Sequence, residues 1–447
     1  MSLRLRSDSL AYCAFVKALL ASRSRASESV EALASKIVGM VKLHGDKAVL
    51  AYNRKFDGAS FKRLRLRVSC LPNSLSIREL FNLKFAYDRI VAYHTYQLPT
   101  ASFFRDSSGV RLGSKWTPLA RVAVYAPGGT ASYFSSIMMS AIPAKLAGVK
   151  RISLITPYYR LANPALTDAC AKLCGLDYIY CSGGAQAIAA VAWGTRAVFK
   201  VDKVTGPGNV YVAAAKKVLF GTVGSDCATG PSETVLVVDH TVDKWTASVD
   251  LVSQLEHDRL AMAVLVTKSA RIASEIRFKT AQCVEAVARN QIARYSWSAS
   301  GVSVICKTSW DLRSFIEACA PEHLQVQTAR PAFALATVNN AGAVFLGKHT
   351  PVSVGDYVSG TNHTLPTAAA AKFGSGLSVL DYVKQTSVTW ITSASVLKPL
   401  ASACVHAALV EGLRAHALAV ICRLAPEPKL NGVEIGRDGR RSSSLLS

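Results

Sequence analysis

Four short stretches of this chain gather side chains able to bind a metal or move protons. In Gln254-Leu255-Glu256-His257, at the end of an amphipathic helix beginning near Asp243, Gln254 and His257 are three apart and share a helical face. An amide oxygen and an imidazole nitrogen so placed suit two metal ligands. Pro321-Glu322-His323-Leu324 enters an apolar, strand-like run. Its carboxylate and imidazole can share acid–base work if a backbone turn aims both into one cleft. Gly355-Asp356-Tyr357, followed by Gly360-Thr361-Asn362-His363, makes a loop too polar and glycine-rich for a core. Glu411 and His416 are about 140° apart on a continuous helix, so they converge only if that helix ends or bends near Gly412. Nitrogen and oxygen donors without thiolate suit zinc or a similar divalent ion, with room left for substrate. Taken singly, each stretch also reads as ordinary structure: a helix-end histidine, a pair opening a strand, a surface loop, solvated helix residues. Composition and spacing alone reach an α/β enzyme and leave metal dependence open.

The elements that must hold these groups alternate. Short apolar runs predict strands at Arg121–Ala126, Arg151–Thr156, Tyr178–Cys181, Ala197–Val201, Thr234–Val238, Ala263–Thr267, Gly301–Cys306 and Gly342–Leu346. Between most of them lie helical patterns such as Ser135–Ala147 and Ser269–Ala288. Strand and helix in alternation imply parallel sheets covered by helices on both faces. The first hundred residues read as mainly helical, with Val30–Leu43 and Ser76–Tyr96 the clearest stretches. After Gly376 the pattern is helical again, notably Ala401–Ala415. Glycine turns follow three of the strands, at Pro127-Gly128-Gly129, Ser182-Gly183-Gly184 and Gly206-Pro207-Gly208. Ligands of open parallel sheets bind at the carboxyl ends of strands, so three such turns suggest a nucleotide or phosphate site, although none reads GxGxxG.

At 447 residues and 50% hydrophobic, the chain can bury a large core and divide into two or more domains. The net charge of +23 raises nucleic acid or an anionic membrane as partners. The basic residues are dispersed, however, with Lys62–Arg67 and Arg437–Arg441 the densest stretches, and no nucleic-acid motif accompanies them. Eleven cysteines form no CxxC pair and sit in apolar context, as free thiols in a reducing compartment do. Met1–Lys36 is rich in Arg and Ser but lacks a secretory apolar core. The uncharged stretch Val122–Ala144 is interrupted by Pro127, Gly128, Gly129 and Pro143, which argues against a spanning helix. A soluble cytoplasmic protein without membrane contact is expected.

The chain resembles histidinol dehydrogenase from about Ser27 to Cys422. The resemblance rests on His44-Gly45-Asp46 through Phe56-Asp57-Gly58, Tyr125 through Gly129, Gly183 through Ala189 and Lys200-Val201-Asp202-Lys203 with Gly206-Pro207-Gly208-Asn209. It continues through Gly230-Pro231-Ser232-Glu233, Ser253-Gln254 with Glu256-His257, Pro321 through Leu324, Gly355-Asp356-Tyr357, Ser359 through His363 and Leu365-Pro366-Thr367. It implies zinc ligands at Gln254, His257, Asp356 and His416, and an acid–base pair at Glu322 and His323. It further implies NAD contacts at Tyr125, Gln186 and Asn209. Contacts to L-histidinol fall on Ser232, Gln254, His257, His323, Asp356, Glu411 and His416. The implied partner is a second copy, in a homodimer whose C-terminal helices supply Glu411 and His416 to the other copy's site. The implied reaction is four-electron oxidation of L-histidinol to L-histidine. The remaining alternatives are an NAD-dependent dehydrogenase of another amino alcohol and a basic, catalytically silent nucleic-acid-binding protein.

The fold class implied is α/β, with two doubly wound, incomplete Rossmann-like parallel-sheet domains and small helical domains at the termini. By the same resemblance, residues 1–20 with 100–120 form a small dimer-contact segment. Residues 21–99 with 233–375 form a discontinuous metal and substrate domain, and 121–232 an NAD-contacting domain. Residues 376–424 form a helical domain reaching the partner, and 425–447 a disordered tail. Little chain is left for a cleaved leader. The sequence departs from the family pattern at Val352, where Glu is common, and at Glu317, Thr229 and Phe199, the last at a usual proline position.

Overall fold

Glu233–Val238 and Met262–Thr267 are buried at every position, because each strand lies inside a sheet covered on both faces. Their side chains alternate between two cores. Leu236, Val238, Ala263 and Leu265 pack with the helices Lys244–Leu255, Ala270–Ala286 and Asn290–Ser300. Val235, Val237, Val264 and Val266 pack on the other side with Phe315, Ile316 and Cys319 of the helix Ser309–Cys319. This six-stranded, wholly parallel sheet runs in the order Leu3–Arg6, Gly301–Ile305, Met262–Thr267, Glu233–Val238, His323–Gln327, Ala343–Leu346. A computed structural model describes residues 3–8, 28–58, 63–72, 74–128, 133–226 and 230–424. The tail expected at 425–447 lies outside the described residues.

A second six-stranded sheet has the order Arg65–Arg67, Tyr178–Cys181, Arg151–Thr156, Arg121–Tyr125, Lys203–Thr205, Gly224–Ser225. Only its edge strand Arg65–Arg67 runs antiparallel. The helices Glu28–His44, Gly184–Trp193 and Val210–Val218 supply one of its apolar cores. In both sheets the chain winds outward from a central strand and then returns to that strand's other side. The return makes a topological switch point between Arg121–Tyr125 and Lys203–Thr205, and another between Glu233–Val238 and His323–Gln327. The fold is α/β, as expected.

Two expectations need correction. Ala197–Val201 is not a strand. Val198 and Val201 are buried, but the Thr195 N–H bonds the Val198 carbonyl at 2.8 Å and the Asp46 carboxylate takes the Ala197 N–H at 3.0 Å. The chain is thereby turned, and pairing starts only at Lys203. The segment after Gly376 is not helical throughout either. Val383–Trp390, with Val383, Thr386, Val388 and Thr389, is a strand, as β-branched residues favour.

The chain divides into two compact units, residues Met1–Leu98 with Pro118–Tyr382 and residues Pro99–Thr117 with Val383–Ser447. The first holds both six-stranded sheets. The second holds a three-stranded sheet ordered Val383–Trp390, Arg111–Pro118, Ser102–Arg105 and the helices Ala394–Val410 and Arg414–Leu424, which meet through Val405, Ala408 and Ala417. No helix among the described residues is long and apolar enough to cross a membrane.

Candidate active site

Glu322 and His323 are aimed by the way their strand begins. The helix Ser309–Cys319 ends on Ala320 in the left-handed region (φ 41°), and Pro321 prevents its resumption. The strand His323–Gln327 then starts beside Glu233–Val238, with His323 opposite Thr234. Glu322 therefore lies next to the start of the neighbouring strand, and its Oε2 accepts the Glu233 N–H at 3.1 Å. Its own carbonyl accepts the Ala343 N–H at 2.8 Å, with Gly342 pressed close. A Cβ on Gly342 would stand 2.7 Å from that carbonyl oxygen, so only glycine fits.

His323 is buried and packs against Phe345, ring centroids 5.8 Å apart. Its Nδ1 is 3.9 Å from Glu322 Oε2 and its Nε2 is 3.9 Å from Asp356 Oδ1. Neither nitrogen has a hydrogen-bond partner among the described residues. Burial, with His363 and His257 nearby, drives its pKa down to about 3. The ring is thus neutral, with a free lone pair between two carboxyl groups. Burial likewise raises Glu322 well above the usual carboxylate range against the help of the Glu233 N–H, and the charges of Glu233 and Asp356 add to the rise. Asp356 sits on the short helix Val352–Tyr357, where burial lifts it to about 7.

The structure brings Gln254 and His257 to the same end of the sheet. Asp243 caps the helix Lys244–Leu255 by accepting the Thr246 N–H at 2.7 Å. Gln254 lies buried in the last turn, and the His257 N–H bonds the Gln254 carbonyl at 3.2 Å just beyond it. His257 reaches the surface, yet desolvation by its neighbours, helped by Arg289, keeps its imidazole below the usual pKa and so neutral. Ser232, half-buried, directly precedes Glu233–Val238.

Two further residues belong to this cluster and were given no role from sequence. Glu233 opens an otherwise apolar strand, is buried, and accepts the Ala368 N–H at 3.2 Å. A charged residue at the head of Thr-Val-Leu-Val-Val was the available signal. The His363 Nδ1 lies 2.8 Å from the Asp356 carbonyl and its Nε2 3.4 Å from Ser136 Oγ, while burial lowers it to about 4. Its loop is anchored by Asn362, which donates to the Met139 carbonyl at 2.6 Å and to His94 at 3.2 Å.

Tyr125, Gln186 and Asn209 gather at the carboxyl ends of the other sheet. The Tyr125 hydroxyl accepts the Gly184 N–H at 3.1 Å, and burial pushes its pKa up to about 12. Gln186 donates to Asn53 at 3.2 Å. Asn209 caps Val210–Val218, its side chain accepting the N–H groups of Tyr211 and Val212 at 3.1 Å. The preceding turn is drawn against Tyr125: Gly206 has φ 112°, and a Cβ there would be 2.1 Å from the Tyr125 carbonyl oxygen. A buried ion pair fixes this turn. Lys216 Nζ donates to the Gly206 carbonyl at 2.6 Å and to Asp226 at 2.5 Å, and Asp226 accepts the Gly206 N–H at 2.7 Å.

Glu411 and His416 lie exposed in the second unit. Glu411 caps Ala394–Val410, Gly412 takes φ 76°, and a new helix begins at Arg414, so the break near Gly412 is present.

A family model for histidinol dehydrogenase matches residues 20–424. The chain belongs to the histidinol dehydrogenase family. It is 41% identical to the histidinol dehydrogenase of Agrobacterium fabrum, covering 92% of this chain and 96% of that protein. With that of Rhizobium meliloti it shares 42%, covering 91% and 95%. The crystal structure of histidinol dehydrogenase from Elizabethkingia anophelis superposes with a TM-score of 0.88 at 30% identity, covering 95% of this chain and 98% of that one. Histidinol dehydrogenases are NAD-linked oxidoreductases of histidine biosynthesis, and this chain matches them over most of its length. That match replaces the alternative of a catalytically silent nucleic-acid-binding protein.

Among the described residues no group of three or more His, Cys, Asp or Glu side chains forms a metal cluster. The set anticipated from sequence is of another kind, since Gln254 is an amide and His416 lies in the second unit. Its chemistry suits a divalent cation. His257 is neutral, and desolvation raises Asp356 with no cationic side chain offsetting it, a cost that a bound ion would relieve.

Proposed function

We propose that the chain oxidises L-histidinol through L-histidinaldehyde to L-histidine in two NAD-linked steps at one site. A zinc ion would be held by Gln254, His257 and Asp356, and by His416 of a second copy. Ser232, Glu411 and His323 would join these ligands in contacting substrate. NAD would be received at Tyr125, Gln186 and Asn209. The observation supporting this most strongly is His323, neutral and unpartnered between Glu322 and Asp356.

When bound, zinc supplies a Lewis acid that orients the substrate, and NAD supplies the hydride acceptor. His323 takes the proton of the substrate hydroxyl as the carbon loses hydride. Glu322, held by the Glu233 N–H, takes a proton from the water that adds to the aldehyde carbon. The second hydride then leaves from the hydrate. A cation beside Asp356 would bring the Glu322 carboxyl down into the range where it can act as that base.

None of the nine described cysteines is in a disulfide, which supports a cytoplasmic, reducing location. Metal analysis with an NADH-coupled L-histidinol assay tests the whole reading. About one zinc per subunit is expected, with NADH formed both from L-histidinol and from L-histidinaldehyde. Full turnover by rigorously metal-free protein would overturn the zinc assignment.

A further inference from the structure

The sheet that carries Tyr125 also has an opening at its other end, where its strands begin. A cavity of about 180 Å³ lies there, lined by Arg121, Arg151, Asp177, Tyr178, Tyr180 and Phe199, with Val122, Ser153 and Val201 around them. Three observations concern what it could hold.

The first is charge. Arg121 and Arg151 are registered partners at the starts of adjacent parallel strands, so two basic side chains leave the same face of the sheet. Arg151 is met by Asp177 at 3.1 Å, and the same carboxylate accepts the Ile152 N–H at 3.0 Å. Arg121 makes no ion pair with any described residue. Arg65, beside the cavity, makes none either.

The second is aromatic lining. Tyr178 and Phe199 meet edge to face with centroids 5.8 Å apart. The Arg65 guanidinium stacks 5.2 Å from the Tyr178 ring and 5.0 Å from that of Phe199, while Arg121 lies 5.8 Å from Phe199. Phe199 is nevertheless 43% exposed. Its segment is held by the Tyr180 hydroxyl, which accepts the Phe199 N–H at 3.3 Å. The cavity lining thus includes a partly exposed aromatic ring with two guanidinium groups within 6 Å of it.

The third is size. A cavity of roughly 150 Å³ can hold one benzene ring, so the space is enough for one ring and a carboxylate and too little for a dinucleotide. We propose that this cavity is a second ligand site, separate from the dehydrogenase site, that binds a small aromatic carboxylate. The ring lies against Phe199 and Tyr178, and the carboxylate faces Arg121.

Benzoate is the probe, titrated into the full chain with NAD and zinc present and followed by ligand-observed NMR. Benzoate is expected to bind, with contacts from its ring protons to Phe199. Benzamide, which lacks the charge, and acetate, which lacks the ring, should bind about tenfold more weakly. Arg121→Gln and Phe199→Leu should each weaken benzoate by about tenfold and leave L-histidinol oxidation unchanged. Arg121→Gln alters only an exposed side chain, so it serves as the arm least exposed to misfolding. Absence of benzoate binding, equal affinity in wild type and both variants, or displacement of benzoate by L-histidinol would each overturn the proposal.

Discussion

The Glu322 carboxylate accepts a hydrogen bond from the backbone N–H of Glu233, 3.1 Å away across the starts of two adjacent strands. An amide at position 322 could accept the same bond but could not accept a proton from water. Glu322→Gln is therefore expected to fold normally and to keep the first oxidation. The aldehyde-to-acid step should slow by about 100-fold or more. Trapping of L-histidinaldehyde and the ratio of NADH to L-histidinol consumed would measure this; equal loss of both steps would contradict the role given to Glu322.

Removal of one ligand should release the metal without unfolding the chain. His257→Ala is expected to lower zinc from about one per subunit to a small fraction of that, with the circular dichroism spectrum unchanged. Zinc retained tightly in the variant would refute the ligand assignment.

Mixing variants tests whether each site needs two copies. If His416 completes the site of the other copy, His257→Ala and His416→Ala are each inactive alone. Unfolded together and refolded, they should regain roughly one quarter of wild-type activity, because each mixed dimer has one intact site. No recovery would show that a single chain supplies both residues.

The pair Lys216 and Asp226 is buried, with side chains 6% and 4% exposed. Lys216→Met leaves the Asp226 charge without its partner, for which a loss of about 3–5 kcal/mol is expected in denaturant titration. The Gly206 turn loosens with it, so NAD affinity measured by calorimetry should fall. Adding Asp226→Leu should recover most of the stability but not the affinity.

His94 gives a pH dependence of stability. Its Nδ1 lies 2.9 Å from the Ile90 carbonyl and its Nε2 accepts from Asn362, and burial lowers its pKa. The folded state therefore binds fewer protons than the unfolded chain as pH drops through the ordinary imidazole range. Its contribution is complete above that range and is lost at lower pH. Melting temperature should fall from pH 8 to pH 5, and His94→Gln should flatten that slope; an unchanged slope would remove His94 as a cause.

What could be read from sequence was what repeats locally. Arg151–Thr156 is an apolar run bounded by Arg151 and Pro157, and the structure has that strand with the same limits. Ala197–Val201 looks similar, but its valines report burial and not pairing, a distinction made by Asp46 from far along the chain. Glu322 and His323 stood out as a pair, whereas Glu233 takes its place through a contact 89 residues away. His363 was visible only as part of a polar loop, because its neighbours Ser136 and Asp356 come from two other elements. Which end of the first sheet carries the site was also beyond local pattern. The proposed acid–base pair Glu322 and His323 sits at strand starts, while the three glycine turns led to the opposite, carboxyl end of the other sheet.

That placement leaves the carboxyl ends of the strands in the proposed catalytic sheet free for engineering. Asp239–Asp243, which follows Val238, is mostly exposed and a full strand length from Glu233. A peptide tag or small domain spliced into that loop would meet solvent on insertion and leave the proton-transfer groups undisturbed. The chain can thus be tethered to a surface or fused to another enzyme from the rear.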